Sequence, residues 1–259
     1  MQADPNPGPG LAKTIRNWWK ENSTHDGVLS TAKRLAFTLW EFIRESTPSR
    51  RRQRYGDVEF DWDYRVDTTG ATIGWRDRLL GHFHSPYQPT EPALFREMIE
   101  NLTLASAKFN PGEFTFIDIG SGKGRALLMA ADYPFQRILG LELLPELHRV
   151  ARENIGKYKS SSQQCFTIEC LLGDAREFAF PLEPTVLYLF NPLPESGLVK
   201  MVSNLKHSLQ EHPRPILVLY HNPLLEHVLT QSGALEKIAG THQYSILASN
   251  IGKAFTDSV

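Results

Sequence analysis

Two short segments constrain this chain more than any others. "TVLYLF" (185–190) and "PILVLY" (215–220) are apolar along their length rather than at every second residue. A strand with one wet face alternates. A strand apolar throughout must be covered on both faces, as in a parallel sheet flanked by helices. The neighbouring sequence supplies the covers. Further strands are expected near 114–119, 137–141 and 166–171. Helical spacing runs from Pro92 to Leu102, with Leu94, Met98 and Leu102 on one face, and again over 125–131. Pro145 opens another helix at a first-turn position, where its missing N–H costs nothing. Leu147, Val150, Ala151 and Ile155 form its apolar stripe. Helices near 195–209 and 223–232, and two closing strands at 234–239 and 244–249, complete the pattern. The alternation predicts an α/β fold with a Rossmann-like, doubly wound sheet.

Upstream the pattern changes. Residues 1–10, MQADPNPGPG, are expected to be a disordered tail. Residues 11–90 are expected to be a helical N-terminal extension followed by a cap loop. Leu11, Ile15, Trp18 and Trp19, then Leu29, Leu35, Leu39 and Ile43, recur at helical spacing, whereas 56–90 read as loop with short elements. Residues 91–259 hold the α/β domain. The formal net charge of -1 gives no global case for nucleic acid or an anionic membrane. Two cysteines, Cys165 and Cys170, exclude a disulfide scaffold and suit a reducing, cytoplasmic compartment as packing residues. No apolar run approaches about 18 residues, so no transmembrane segment is expected. The N-terminus lacks a basic-then-apolar leader.

The first strand runs into "FIDIGSGKGR" (116–125), with glycines at 120, 122 and 124. In open parallel sheets ligands lie outside the carboxyl ends of the strands, beside this turn. The glycines free the backbone for unusual dihedrals and close approach. A dinucleotide fingerprint has a third glycine where this chain has Arg125, and a P-loop has Ser or Thr where this chain has Gly124. Asp118, just before the turn, is a poor neighbour for pyrophosphate and a good one for a cation. "ILGLEL" places Glu142 at the second strand tip, where a carboxylate can accept both ribose hydroxyls. "LLGDAREF" places Asp174 after the third, where it could accept from an adenine amino group or cap the next turn, with the Ala175 N–H facing the ring. Three acids at successive strand tips describe an adenosine with an amino-acid tail.

In these three motifs the chain resembles the class I S-adenosylmethionine-dependent methyltransferases, over roughly residues 90–250. The resemblance implies a seven-stranded sheet with its last strand antiparallel, and S-adenosyl-L-methionine as cofactor. It implies that Asp118, Gly120, Ser121, Gly122 and Gly124 cradle the methionine part, that Glu142 holds the ribose, and that Asp174 with Ala175 holds the adenine. "LYLFNPLP" is similar to the (D/N)PP(Y/F) motif, which makes Asn191 and Pro192 the catalytic pair that orients an acceptor nitrogen, Asn191 also bordering the cofactor. Leu193 and Pro194 replace the second proline and the aromatic, so no ring stands there to stack on a flat base. "DIGSGKGRALLMAA" is similar to the first motif of non-SET protein-lysine methyltransferases. Their loop over the cofactor corresponds to "SPYQPTEPALF", with Tyr87 as a catalytic candidate and Thr90 as a cofactor contact. "DWDYRVDTTG" (61–70) resembles a segment of an uncharacterised bacterial methyltransferase group.

The expected acceptor is a protein lysine or a small-molecule amine. Two other classes stay open: a nucleotide-dependent oxidoreductase and a catalytically silent cofactor-binding scaffold. His82 and His84 lack the partners for a metal site, so none is expected. "YHNP" (220–223) ends the fifth strand, where Tyr220, His221 and Asn222 could line an acceptor pocket or cap the next helix. The run SRRRQR reads as a solvated face, with an acidic partner or RNA as the other possibility.

Overall fold

The two apolar segments form adjacent parallel strands at the centre of one sheet. The structure, a computed structural model, describes residues 58–69, 88–106 and 109–250. The expected tail, the helices over 11–45, the SRRRQR run, His82, His84 and Tyr87 lie outside the described residues. The chain divides into two compact units, Met1–Gly56 with Gly70–Tyr87, and Asp57–Thr69 with Gln88–Val259. All described residues belong to the second.

In chain order that unit contains helix α1 (Val58–Tyr64), α2 (Pro92–Ala105), β1 (Thr115–Ile119), α3 (Arg125–Ala130), β2 (Arg137–Glu142), α4 (Pro145–Lys157) and β3 (Ile168–Leu172). Then follow β4 (Thr185–Leu189), α5 (Glu195–Glu211), β5 (Ile216–His221), α6 (Glu226–Thr230), β6 (Leu235–Gly240) and β7 (Tyr244–Ser249). The strand order is β3-β2-β1-β4-β5-β7-β6. The first five strands are parallel, and β7 is antiparallel to both β5 and β6. The expected seven-stranded, doubly wound sheet with its antiparallel last strand is therefore what the chain forms.

The continuous apolar runs have a direct cause. Val186 and Leu187 point to opposite faces, and each is at most 1% exposed. On one face Phe116, Ile138, Val186 and Tyr188 pack under α2, α3 and α4. On the other Ile117, Leu187, Val218 and Leu247 pack against α5 and α6. Each fully buried large apolar side chain contributes about 1.5–3 kcal/mol relative to exposure, so both layers are required.

Three local readings shift. The third strand begins at Ile168 rather than 166, because Phe166 lies outside the ladder and is exposed. The last helix shortens to Glu226–Thr230, because Asn222 takes a left-handed φ of 49° and Pro223 lies in the turn that follows. Within the segment read as loop with short elements, Val58–Tyr64 is a two-turn helix. Both cysteines are free, buried members of the core. Among the described residues no helix is long and apolar enough to cross a membrane, and no group of three metal-ligating side chains gathers.

Candidate active site at the carboxyl edge of the sheet

The tips of β1, β2, β4 and β5 meet the start of α2 at one edge. Register fixes which side chains share a face. Asp118 lies opposite Gly140 of β2 and Tyr188 of β4. Strand alternation puts Glu142, two residues beyond Gly140, on that same face.

The turn after β1 is left-handed at Gly120 (φ 77°), Gly122 (φ 55°) and Gly124 (φ 86°). Two of these glycines serve packing. A Cβ on Gly120 would stand 2.6 Å from the Pro192 ring beyond the tip of β4. A Cβ on Gly124 would press on Ala151 of α4 at 3.3 Å. The middle glycine meets chemistry, because the Gly122 N–H donates to Glu142 Oε2 at 2.7 Å. The Leu144 N–H donates to Glu142 Oε1 at 2.8 Å. Glu142 therefore ties the turn to β2, and its two oxygens, with about four acceptor sites between them, retain spare acceptor capacity.

Asp118 differs. It is only 4% exposed and accepts no hydrogen bond from the described residues. Burial, and then the charge of Glu142, push its carboxyl well above the ordinary range. Glu142 is also raised, chiefly by burial, with its backbone bonds opposing the shift. Two buried carboxylates thus stand together without a cationic side chain in hydrogen-bond contact.

The cations of the motif are engaged elsewhere. Lys123 Nζ pairs with Asp67 at 2.6 Å and donates to the Thr69 carbonyl. Arg125, 2% exposed, donates to Thr68 Oγ1 at 2.6 Å, pairs with Asp61 at 3.3 Å and lies over the Phe60 ring. Asp61 also accepts from the backbone N–H and the hydroxyl of both Thr68 and Thr69. Burial raises the Asp61 carboxyl, but these bonds outweigh it and hold it below the usual range. Asn154 of α4 joins the pieces, donating to the carbonyls of Asp67 and Lys123 and accepting from the Asp67 N–H. Residues 58–69 form a strap locked onto the outside of the glycine turn. Sequence reasoning singled out the acids but did not connect this segment to Lys123 and Arg125.

The other candidates fall into two groups. At the β4 tip Asn191 has a left-handed φ of 45°, a conformation asparagine tolerates better than most residues. Its amide nitrogen donates to the Asn222 carbonyl at 2.8 Å and its oxygen accepts from the Tyr220 hydroxyl at 2.9 Å. The Asn222 carbonyl can only accept, so this orientation of the amide is the one that satisfies both bonds. Ser121 Oγ is 3.4 Å from Cys170 Sγ. Thr90, before α2, is hydrogen-bonded to the Tyr188 hydroxyl at 2.6 Å, and that hydroxyl reaches His221 Nδ1 at 3.0 Å. Asp174 caps the 3-10 turn Ala175–Glu177 through the Arg176 N–H and also pairs with the Arg176 guanidinium. Ala175 is buried beside it. The structure brings Asp118, Gly122 and Glu142 into one cluster, and sets Asn191, Pro192 and His221 on the adjoining tips.

The strand order and the antiparallel last strand are those that the resemblance implied. No family model and no curated protein sequence matches the chain. Solved structures are similar to it at low identity. An RNA methyltransferase from Salinibacter ruber, in complex with S-adenosyl-L-homocysteine, is 21% identical, covering 66% of this chain and 95% of its own, with a TM-score of 0.41. A ribosomal protein L11 methylase from Lactobacillus delbrueckii subsp. bulgaricus is 15% identical over 60% of this chain and 76% of its own, TM-score 0.41. The glycopeptide N-methyltransferase MtfA, complexed with sinefungin, is 12% identical over 65% and 90%, TM-score 0.45.

Proposed function

We propose that the protein is an S-adenosylmethionine-dependent methyltransferase acting on nitrogen, with a protein lysine or a small-molecule amine as acceptor. One observation carries the reading. Asp118 and Glu142 are buried together, Asp118 without a donor among the described residues, while Lys123 and Arg125 are paired with Asp67 and Asp61. Such a site favours a ligand that brings positive charge and hydroxyl donors. A dinucleotide pyrophosphate would add anions to it.

On this reading Asp118 holds the ammonium of the methionine part and Glu142 accepts ribose hydroxyls on its remaining lone pairs. Ser121 and Thr90 border the methionine part. Asp174 and Ala175 flank the adenine, which requires Asp174 to share its carboxylate with Arg176. When bound, the cofactor supplies an electrophilic methyl group on a sulfonium. Asn191 and Pro192 orient the acceptor, and a dry pocket favours a neutral amine over its ammonium form. Tyr87 remains a catalytic candidate from the resemblance.

Calorimetric titration of S-adenosylmethionine and S-adenosylhomocysteine into the wild type and Asp118→Asn tests this. Wild-type binding that weakens about tenfold in the variant, about 1.4 kcal/mol, is the expected result. Equal affinity in both proteins, or binding of reduced nicotinamide dinucleotide instead, would remove the reading. Asp118→Asn is preferred to Glu142→Ala, which would also release the Gly122 and Leu144 amides.

A further inference from the structure

The mechanism above leaves one polar group at the strand tips unused. His221 ends β5, is 9% exposed, and has Nδ1 on the Tyr188 hydroxyl. Its Nε2 has no hydrogen-bond partner among the described residues. Phe190, the residue before Asn191, stacks on its ring at 3.8 Å. The imidazole is thus held by a hydrogen bond at one nitrogen and by an aromatic face, with no partner on the other nitrogen among the described residues. Burial pushes it down to about 4, so it is neutral near pH 7.

A neutral primary amine has two N–H donors and one lone pair. To aim the lone pair, a site needs two acceptors on the N–H groups. Asn191 Oδ1 can supply one, because the Tyr220 hydroxyl uses only one of its lone pairs. We propose that His221 Nε2 supplies the other, its acceptor tautomer set by Tyr188 and Thr90. With the ring proton on Nδ1, His221 donates to the Tyr188 oxygen, and the Tyr188 hydroxyl donates in turn to Thr90 Oγ1. The separations of 3.0 and 2.6 Å suit both links. Burial raises the Tyr188 phenol well above its ordinary range, which keeps the hydroxyl proton in place. Tyr188 acts through His221 and is a positioning residue, and Thr90, which also borders the methionine part, anchors Tyr188. No proton transfer is assigned to His221.

This inference rests on the cofactor reading above and is tested separately from it. Sinefungin carries a primary amine where S-adenosylmethionine carries its methyl group, whereas S-adenosylhomocysteine has nothing there. Both are titrated by calorimetry into the wild type, His221→Phe, His221→Gln and Tyr188→Phe. His221→Phe, which retains a ring against Phe190, should lose about tenfold in sinefungin affinity and keep S-adenosylhomocysteine within about twofold. His221→Gln should recover part of the sinefungin loss, and Tyr188→Phe should shift sinefungin in the direction of His221→Phe. Unchanged sinefungin binding in His221→Phe overturns the inference, as does an equal loss of both ligands in the Phe and Gln variants. If the wild type binds neither ligand, the cofactor reading has failed, and this inference falls with it before any variant is made.

Discussion

Asp118 and Asp61 are both buried acids, and their surroundings move them in opposite directions. Burial, and then the charge of Glu142, raise the Asp118 carboxyl above the ordinary 3.8, and no hydrogen bond from the described residues opposes the shift. Its contribution to stability is complete below that value and is lost as pH rises through its folded pKa. Asp61 is held below 3.8 by Thr68 and Thr69, so its contribution is present above that value and is lost as pH falls through its folded pKa. The ligand-free protein should therefore gain stability on mild acidification from neutrality, then lose it below the ordinary carboxylate range. Urea midpoints measured across pH would show the gain, and Asp118→Asn should flatten it while being more stable than the wild type at neutral pH. A cationic ligand needs the ionised carboxylate, so its affinity should fall over the window in which the free protein becomes more stable. Parallel pH profiles for wild type and Asp118→Asn would sink this account.

Among the elements, the strap over 58–69 is the one whose importance exceeds its size. Its two ion pairs are unequal. Asp67 has a side chain 64% exposed, so its contact with Lys123 is worth less than about 1 kcal/mol. Asp61 and Arg125 are 10% and 2% exposed, so breaking their contact in the interior costs more, about 3 kcal/mol. Asp61→Asn should lower the midpoint of thermal unfolding by roughly 6–12 °C, and Asp67→Asn by only a few degrees. Similar shifts in the two variants would mean that the strap is held by Asn154 and Phe60 packing rather than by charge. The strap also marks where sequence reasoning ended. Strands β4 and β5 were legible because burial on both faces writes itself as uninterrupted apolar residues. The placement of Asp118 and Glu142 on neighbouring tips was legible because strand order sets those tips side by side. Helix α1 was not: VEFDWDY is short, with acids at every second position, and its organising contact is with Arg125, 64 residues away. The capping geometry of Asp174 was legible only as one of two readings, because spacing does not say whether Arg176 turns back on it.

Across the molecule, the order of synthesis and the order of docking differ. The strap leaves the ribosome well before the glycine turn it grips. The Asp61–Arg125 tie spans 64 residues, whereas β1 and β2 lie close together in sequence. Closing so long a loop is entropically costly until the turn exists to be gripped. The strap should then behave as the last latch of folding. Asp61→Asn would leave the refolding rate almost unchanged and speed unfolding by roughly a hundredfold, measured by stopped-flow dilution from urea. A refolding rate that slows in proportion to the lost stability would instead make the strap part of the nucleus. If the latch closes last, it is also what sets how long the native state persists, and a contact on the outside of the glycine turn would govern the lifetime of the folded protein.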